Sequence, residues 1–432
     1  MTIGSSLIYL TNKWAAVMEK IDIKVENTEE HIPSSKTESQ NIIITDPLTD
    51  RYNTFGFISW WKQDVIQEAK VLVVGAGALG NEVLKNLALM GVGHILVVDF
   101  DTIEDSNLSR SILFRASDNG AKKAELAAQS IQEINPDVDI QWLHVDINHE
   151  LGLGVYRRMD VVIGCLDNRE ARLTINKSCW RLNKPWIDGA IQELLGIARV
   201  FKPFAGACYE CTLTDEDYRI MAVRMSCNRL AHQNVIEGKV PTTPTISSII
   251  AAVETQEALK LLHGMEVQTG QALVFNGLMN DVYTMEYPEK EDCMSHEVWD
   301  EIVEVPEFTS EETTGSELLK KAHELLGKDA FVEIPAFATE AICDSCSIRL
   351  ELNKPLHFVT FEDAHCSQCG ELMKVITFDR LTENVHFLDL TLSKIGIPTL
   401  EILRAQTPSW DARFIELTGD SDKFWPKNNA GH

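Results

Sequence analysis

The chain is short of several things, and each shortage excludes a class of function. No apolar run in its 432 residues approaches the roughly 20 needed to cross a bilayer, so membrane insertion is not expected. Positive charge is scarce: 39 Lys and Arg against 65 Asp and Glu leave a net charge of −26. Phosphate-backbone contacts need a basic surface, so nucleic-acid binding is set aside and a basic protein partner is easier to accommodate. The opening "MTIGSSLIYLTNKWAAVMEK" has no basic start, long apolar run or small-residue cleavage site. It is not read as a signal peptide, and a cytoplasmic location is expected. Internal repeats are missing as well.

What remains has globular composition, 44% hydrophobic and 24% charged. The length exceeds one ordinary core and predicts two or three domains. Residues 1–49 read as a short helix followed by a polar arm. From residue 70, buried strands alternate with helices: "KVLVVGAG", a helix over 79–90, "HILVVDFD", a helix over 121–134, "IQWLHVDI", "DVVIGCLD", a helix over 169–182, and "PWIDGAI". That alternation builds a parallel sheet covered on both faces, a doubly wound α/β domain of the Rossmann kind. A long helix over 245–264 and the strand-rich "ALVFNGLMNDVYTMEY" complete the domain, placed at 50–298. A smaller C-terminal domain, 299–432, opens with a helix over 315–326.

"VVGAGALGNE" sets Gly75, Gly77 and Gly80 as G-x-G-x-x-G between a strand and a helix. Small residues there let the backbone approach a phosphate, and the helix N-terminus offers unpaired N–H groups. Asp99 ends the second strand, 19 residues beyond Gly80, where a carboxylate accepts from ribose hydroxyls. This much fits a dehydrogenase as well as an ATP enzyme.

The segments that follow, "DFDTIEDSNLSRSILF", "NGAKKAELAAQSIQEINP" and "IGCLDNREAR", separate the two. Over about 51–298 the chain resembles the ThiF/MoeB and ubiquitin-activating enzyme superfamily. The resemblance implies adenylation of the C-terminal carboxylate of a ubiquitin-like protein, with ATP and Mg2+ as cofactors. It implies that Asn107, Arg110 and Lys123 contact ATP phosphates and that Asp167 works with magnesium. Attack of a carboxylate on the α-phosphate gathers negative charge that cations must offset, whereas hydride transfer needs none of this set. Two departures stand out: "NLSRS" has Ser111 where the family has glutamine, and "RYNTF" keeps Arg51 but has Thr54 where an arginine often reaches the partner's ATP site. A homo- or heterodimer is still the expectation.

Ten cysteines in a reducing compartment point to metal or thiol chemistry rather than disulfides. "CDSC" and "CSQC" put Cys343, Cys346, Cys366 and Cys369 in two C-x-x-C pairs, a zinc-ribbon spacing over 343–369. "CYEC" and "CMSH" supply Cys208, Cys211, Cys293 and His296. The resemblance implies one structural zinc there, with histidine standing where relatives have a fourth cysteine. Cys165 and Cys179 read as core residues. Cys227, in "VRMSCNRLAH", falls where relatives carry a crossover loop, about 212–244, with a thioester-forming cysteine; Arg224 and Arg229 would favour its thiolate.

The functional expectation is therefore an ATP-dependent activating enzyme that adenylates a ubiquitin-like protein ending in glycine, forms a thioester on Cys227 and delivers it to a conjugating enzyme. The alternative is a sulfur-carrier protein adenylyltransferase that stops at the acyl-adenylate. A catalytically silent scaffold would keep the fold and lose the Lys123, Arg110 and Asp167 set.

Overall fold

Two runs of similar composition, "KVLVV" and "HILVV", form the central strands β1 (Lys70–Val74) and β2 (His94–Val98) of the computed structural model, which describes residues 50–225 and 241–424. Cys227, the expected arm at 1–49 and residues 226–240 of the expected crossover loop lie outside the described residues. Four of the five residues in each of these strands are fully enclosed, as in a sheet packed on both faces.

β3 (Asp139–Leu143), β4 (Val161–Gly164) and β5 (Trp186–Gln192) lie parallel to them; β6 (Leu195–Phe201), β7 (Gln271–Asn276) and β8 (Asp281–Glu286) continue the sheet antiparallel. The order is β3-β2-β1-β4-β5-β6-β7-β8. The expected parallel sheet is thus its first five strands, and hairpins, which need no crossover helix, extend it.

The helices are α1 (Gln63–Glu68), α2 (Ala78–Met90), α3 (Lys123–Ile134), α4 (Leu153–Arg157), α5 (Arg169–Arg181), α6 (Asp215–Met225) and α7 (Pro244–Leu262). Strand side chains alternate between two cores. Val71, Val73, Ile95 and Val97 face residues of α2, α3 and α7, such as Leu84, Ile131 and Ile250. Leu72, Val74, Leu96 and Val98 join a second core with Tyr156 of α4 and Ile175 of α5. Leu400 and Ile402 belong to that second core too, so C-terminal residues cover part of the sheet's other face.

Beyond Glu297 the chain builds β9 (Ile302–Val305), α8 (Gly315–Leu326), β10 (Phe331–Ile342), β11 (Arg349–Pro355), β12 (Lys374–Leu381), α9 (Leu392–Ile395), β13 (Ile402–Gln406) and β14 (Ala412–Leu417). They form a six-stranded sheet with its own core around Leu318, Phe337, Leu392 and Ile415. α8 starts at a full capping box, Thr314 with Glu317. The junction with the first sheet is dense. Arg157 of α4 and Arg158, which caps it, both reach Glu416, which is fully enclosed, and the Leu153 N–H donates to Glu401 at 3.3 Å. Trp299 stacks on Phe414 at 4.5 Å. The described residues from Arg51 onward form one compact unit.

Candidate nucleotide site and metal centres

In a sheet ordered β3-β2-β1-β4-β5, the chain runs outward from β1 in both directions, so the carboxyl ends of β1 and β4 border a crevice. The glycine loop leaves β1 there, and Asp167 follows β4. The loop geometry explains its composition. Gly75 has φ +96°, and a Cβ on it would lie 2.4 Å from the carbonyl oxygen of Cys165. A Cβ on Gly80 would lie 1.9 Å from the Gly75 carbonyl. Gly77, the N-cap of α2, has open space beside it, and that is the direction from which a phosphate can approach.

Asp99 directly follows β2 and is already engaged: one oxygen accepts from the Ala76 N–H and the other from the Asp101 N–H, both at 2.7 Å. Burial nevertheless holds its carboxyl above the ordinary range, against the pull of Lys123 and these donors. Lys123 opens α3 and is buried, its Nζ 2.7 Å from Asp101. Asn107 uses its side-chain oxygen to accept from the Glu104 N–H at 3.0 Å, and Arg110 donates to the Ser106 carbonyl at 2.9 Å. These bonds hold the "EDSNLSR" segment in shape. Asp167 is exposed, next to Asn168, which caps α5 by accepting from the Ala171 N–H at 2.8 Å.

Two residues of this region carry no motif and were not singled out from sequence. Asn81 is fully enclosed, donates to the carbonyls of Ala76 and Gly77 at 2.7 and 3.0 Å, and accepts from the Leu113 N–H at 2.9 Å. It ties the glycine loop to the segment after Arg110. Asp101 supplies the partner of Lys123. The one sequence signal Asn81 carries is a polar residue directly after Gly80 on the inner side of a helix. Arg51 donates to the Ile134 carbonyl at 3.2 Å at the end of α3.

Both cysteine sets converge, the ligand atoms of each lying within 4.8 Å of one another. In the first, sulfur to sulfur distances are 3.7 and 3.6 Å from Cys208 to Cys211 and Cys293, and Cys211 Sγ is 3.5 Å from His296 Nε2. Tetrahedral zinc with bonds of about 2.3 Å to sulfur and about 2.0 Å to nitrogen requires separations of roughly 3.5–3.8 Å, so the donors fit that ion. In the second set Cys343 and Cys369 are 3.6 Å apart. Backbone N–H groups of Cys369 and Gln368 pull the Cys366 thiol down to about 7, toward the thiolate that a metal binds. His365 bonds to the Phe361 carbonyl through Nδ1 and is not a member of the set. Cys165 and Cys179 are enclosed in the cores, and burial pushes both thiols up, away from the thiolate.

The crevice, its glycine loop and the following motifs define a nucleotide-binding α/β protein, and the family follows from comparison. Residues 49–295 match the model of the ThiF family, more than half of the chain, and the chain belongs to that family. It is 40% identical over 149 residues to SUMO-activating enzyme subunit 2 of Dictyostelium discoideum, a match covering 34% of this chain and 22% of that protein. It is 30% identical over 216 residues to the sulfur carrier protein ThiS adenylyltransferase of Escherichia coli, covering 50% of this chain and 80% of that one. The solved structure of E. coli MccB aligns over 57% of this chain and 74% of its own with a TM-score of 0.48 and 22% identity. Among the described residues no helix is long and apolar enough to cross a membrane.

Proposed function

We propose that this protein catalyses ATP-dependent adenylation of the C-terminal carboxylate of a small carrier protein. The observation that carries the reading is the crevice at the carboxyl ends of β1 and β4, with an open Gly77 at a helix N-terminus and a buried lysine, Lys123, on the adjoining helix. In this reading the glycine loop and α2 N-terminus hold phosphate oxygens, Asn107, Arg110 and Lys123 offset their charge, and Asp99 accepts from the ribose. A carrier carboxylate oxygen attacks the α-phosphorus, the bond to the β-phosphate oxygen breaks, and pyrophosphate leaves. Asp167 would hold magnesium, which supplies further charge neutralisation. The set with His296 and the four-cysteine set would each hold zinc, and four protein ligands in each leave no open position for catalysis.

Strand β8 supports a protein substrate rather than a small one. Among the described residues it is the outermost strand of the sheet, exposed along its whole length, with Val282, Tyr283 and Met285 on it and Leu278 and Met279 at its turn. An apolar edge of that kind suits a folded carrier.

Two continuations separate at the acyl-adenylate. The sulfur-carrier route stops there and passes the acyl group to a sulfur donor. It is supported by the 80% coverage of the ThiS adenylyltransferase, against 22% of the SUMO-activating subunit. In the other route the Cys227 thiolate attacks the acyl carbonyl, a C–S bond forms, the C–O bond to AMP breaks, and AMP leaves. Its support is positional: in the sequence Cys227 lies between the Cys208 and Cys211 pair and α7. Incubation with ATP and candidate carriers distinguishes them. The favoured route predicts an acyl-adenylate and no reducible conjugate; a conjugate that disappears in Cys227→Ser overturns it in favour of the thioester.

A further inference from the structure

Three contacts close a triangle between the first metal set, α5 and α6. Asn176, fully enclosed at the middle of α5, donates to Cys208 Sγ at 3.4 Å and accepts from the Tyr209 N–H at 3.0 Å. One turn on, Trp180 stacks on His296 at 4.1 Å and 10°. Glu210, between the two cysteines of "CYEC", is buried and accepts from Tyr218 of α6 at 2.9 Å and from Ser295, which lies between Cys293 and His296. Arg169 at the start of α5 pairs with Asp217 at the start of α6 at 2.9 Å. Asp217 in turn accepts from the Thr214 N–H and hydroxyl. The metal set therefore touches both helices, and the helices hold each other two residues beyond Asp167.

We propose that this triangle couples the metal set to the nucleotide crevice: metal occupancy fixes α5 and thereby the placement of Asp167, with Asn176, Glu210 and Arg169 as positioning residues. The proposal rests on the adenylating reading. A helix held at its middle by a metal ligand and at its start by an ion pair transmits a displacement at either end to the other. Coupling of this kind is reciprocal, so nucleotide must tighten metal exactly as much as metal tightens nucleotide.

The test measures zinc affinity of the full-length protein by competition with a chromophoric chelator, with and without saturating Mg2+ and a non-hydrolysable ATP analogue whose binding is verified by calorimetry. Wild type, Arg169→Lys and Arg169→Gln are compared, since Arg169 is partly exposed and its loss leaves both cores untouched. The expected result is that nucleotide strengthens retention of one of two zinc ions by about fivefold or more in wild type and Arg169→Lys, and by less than about twofold in Arg169→Gln. Equal zinc affinity with and without nucleotide in wild type overturns the coupling, as does full strengthening in Arg169→Gln. A protein that binds zinc but not the nucleotide overturns the adenylating reading instead, and the coupling falls with it.

Discussion

Asn81 shows what a single residue does in this site. Its amide closes the glycine loop from behind and satisfies the buried Leu113 N–H, so Asn81→Ala takes this partner from the Ala76 carbonyl and the Leu113 N–H, while the Gly77 carbonyl keeps the backbone N–H of residue 81. The expected cost is about 1–3 kcal/mol, read as a lower denaturation midpoint at unchanged slope. Lys123→Ala keeps the fold, its Nζ bonding only to the half-exposed Asp101, and lowers ATP–pyrophosphate exchange by about 10²–10³-fold. At this scale the glycines, Asp99 and Lys123 were legible because backbone geometry and phosphate charge restrict the residue types allowed. Asp101 and Asn81 were not, because their partners come from segments 22 and 32 residues away. Cys227 is legible only as a sequence position.

Helices and strands were predicted where hydrophobic periodicity and caps agree. The helix read over 315–326 is α8 residue for residue, since its capping box and the Gly327 that follows mark both ends. The antiparallel extension β6 to β8 was less legible, because an apolar run carries no record of strand direction. The C-terminal sheet and its core around Phe337 and Ile415 are less legible for a related reason: strands from distant segments pair there, and no local spacing marks which ones. The metal sets are tested at this scale by cobalt(II) substitution. Two thiolate-bearing sites predict thiolate-to-cobalt charge-transfer absorption that Cys343→Ser reduces without abolishing, the remainder belonging to Cys208, Cys211 and Cys293. A spectrum unchanged by that substitution would show that the ribbon cysteines hold no metal.

Across the whole molecule, the two sheets meet through charges that sequence could not pair, α4 and β14 being some 258 residues apart. Glu416→Ala strips the enclosed partner from Arg157 and Arg158, both partly exposed, and is expected to cost about 1–3 kcal/mol, measured by chemical denaturation. Glu401, at the same junction, is pushed up to about 7 from its ordinary 4.5, chiefly by burial. A raised carboxyl contributes stability that is complete below about 4.5 and is lost as pH rises through about 7. Glu401→Gln should therefore remove a decline in stability over that window, seen as the difference between the two proteins' pH profiles; parallel profiles would exclude it. Adenylation in the crevice is read by ATP–pyrophosphate exchange. With a small carrier protein ending in glycine, Mg2+ and ATP, exchange should depend on the carrier and fall in Lys123→Ala; exchange absent with every such carrier, in protein that binds zinc and is folded, would rule out the adenylating role.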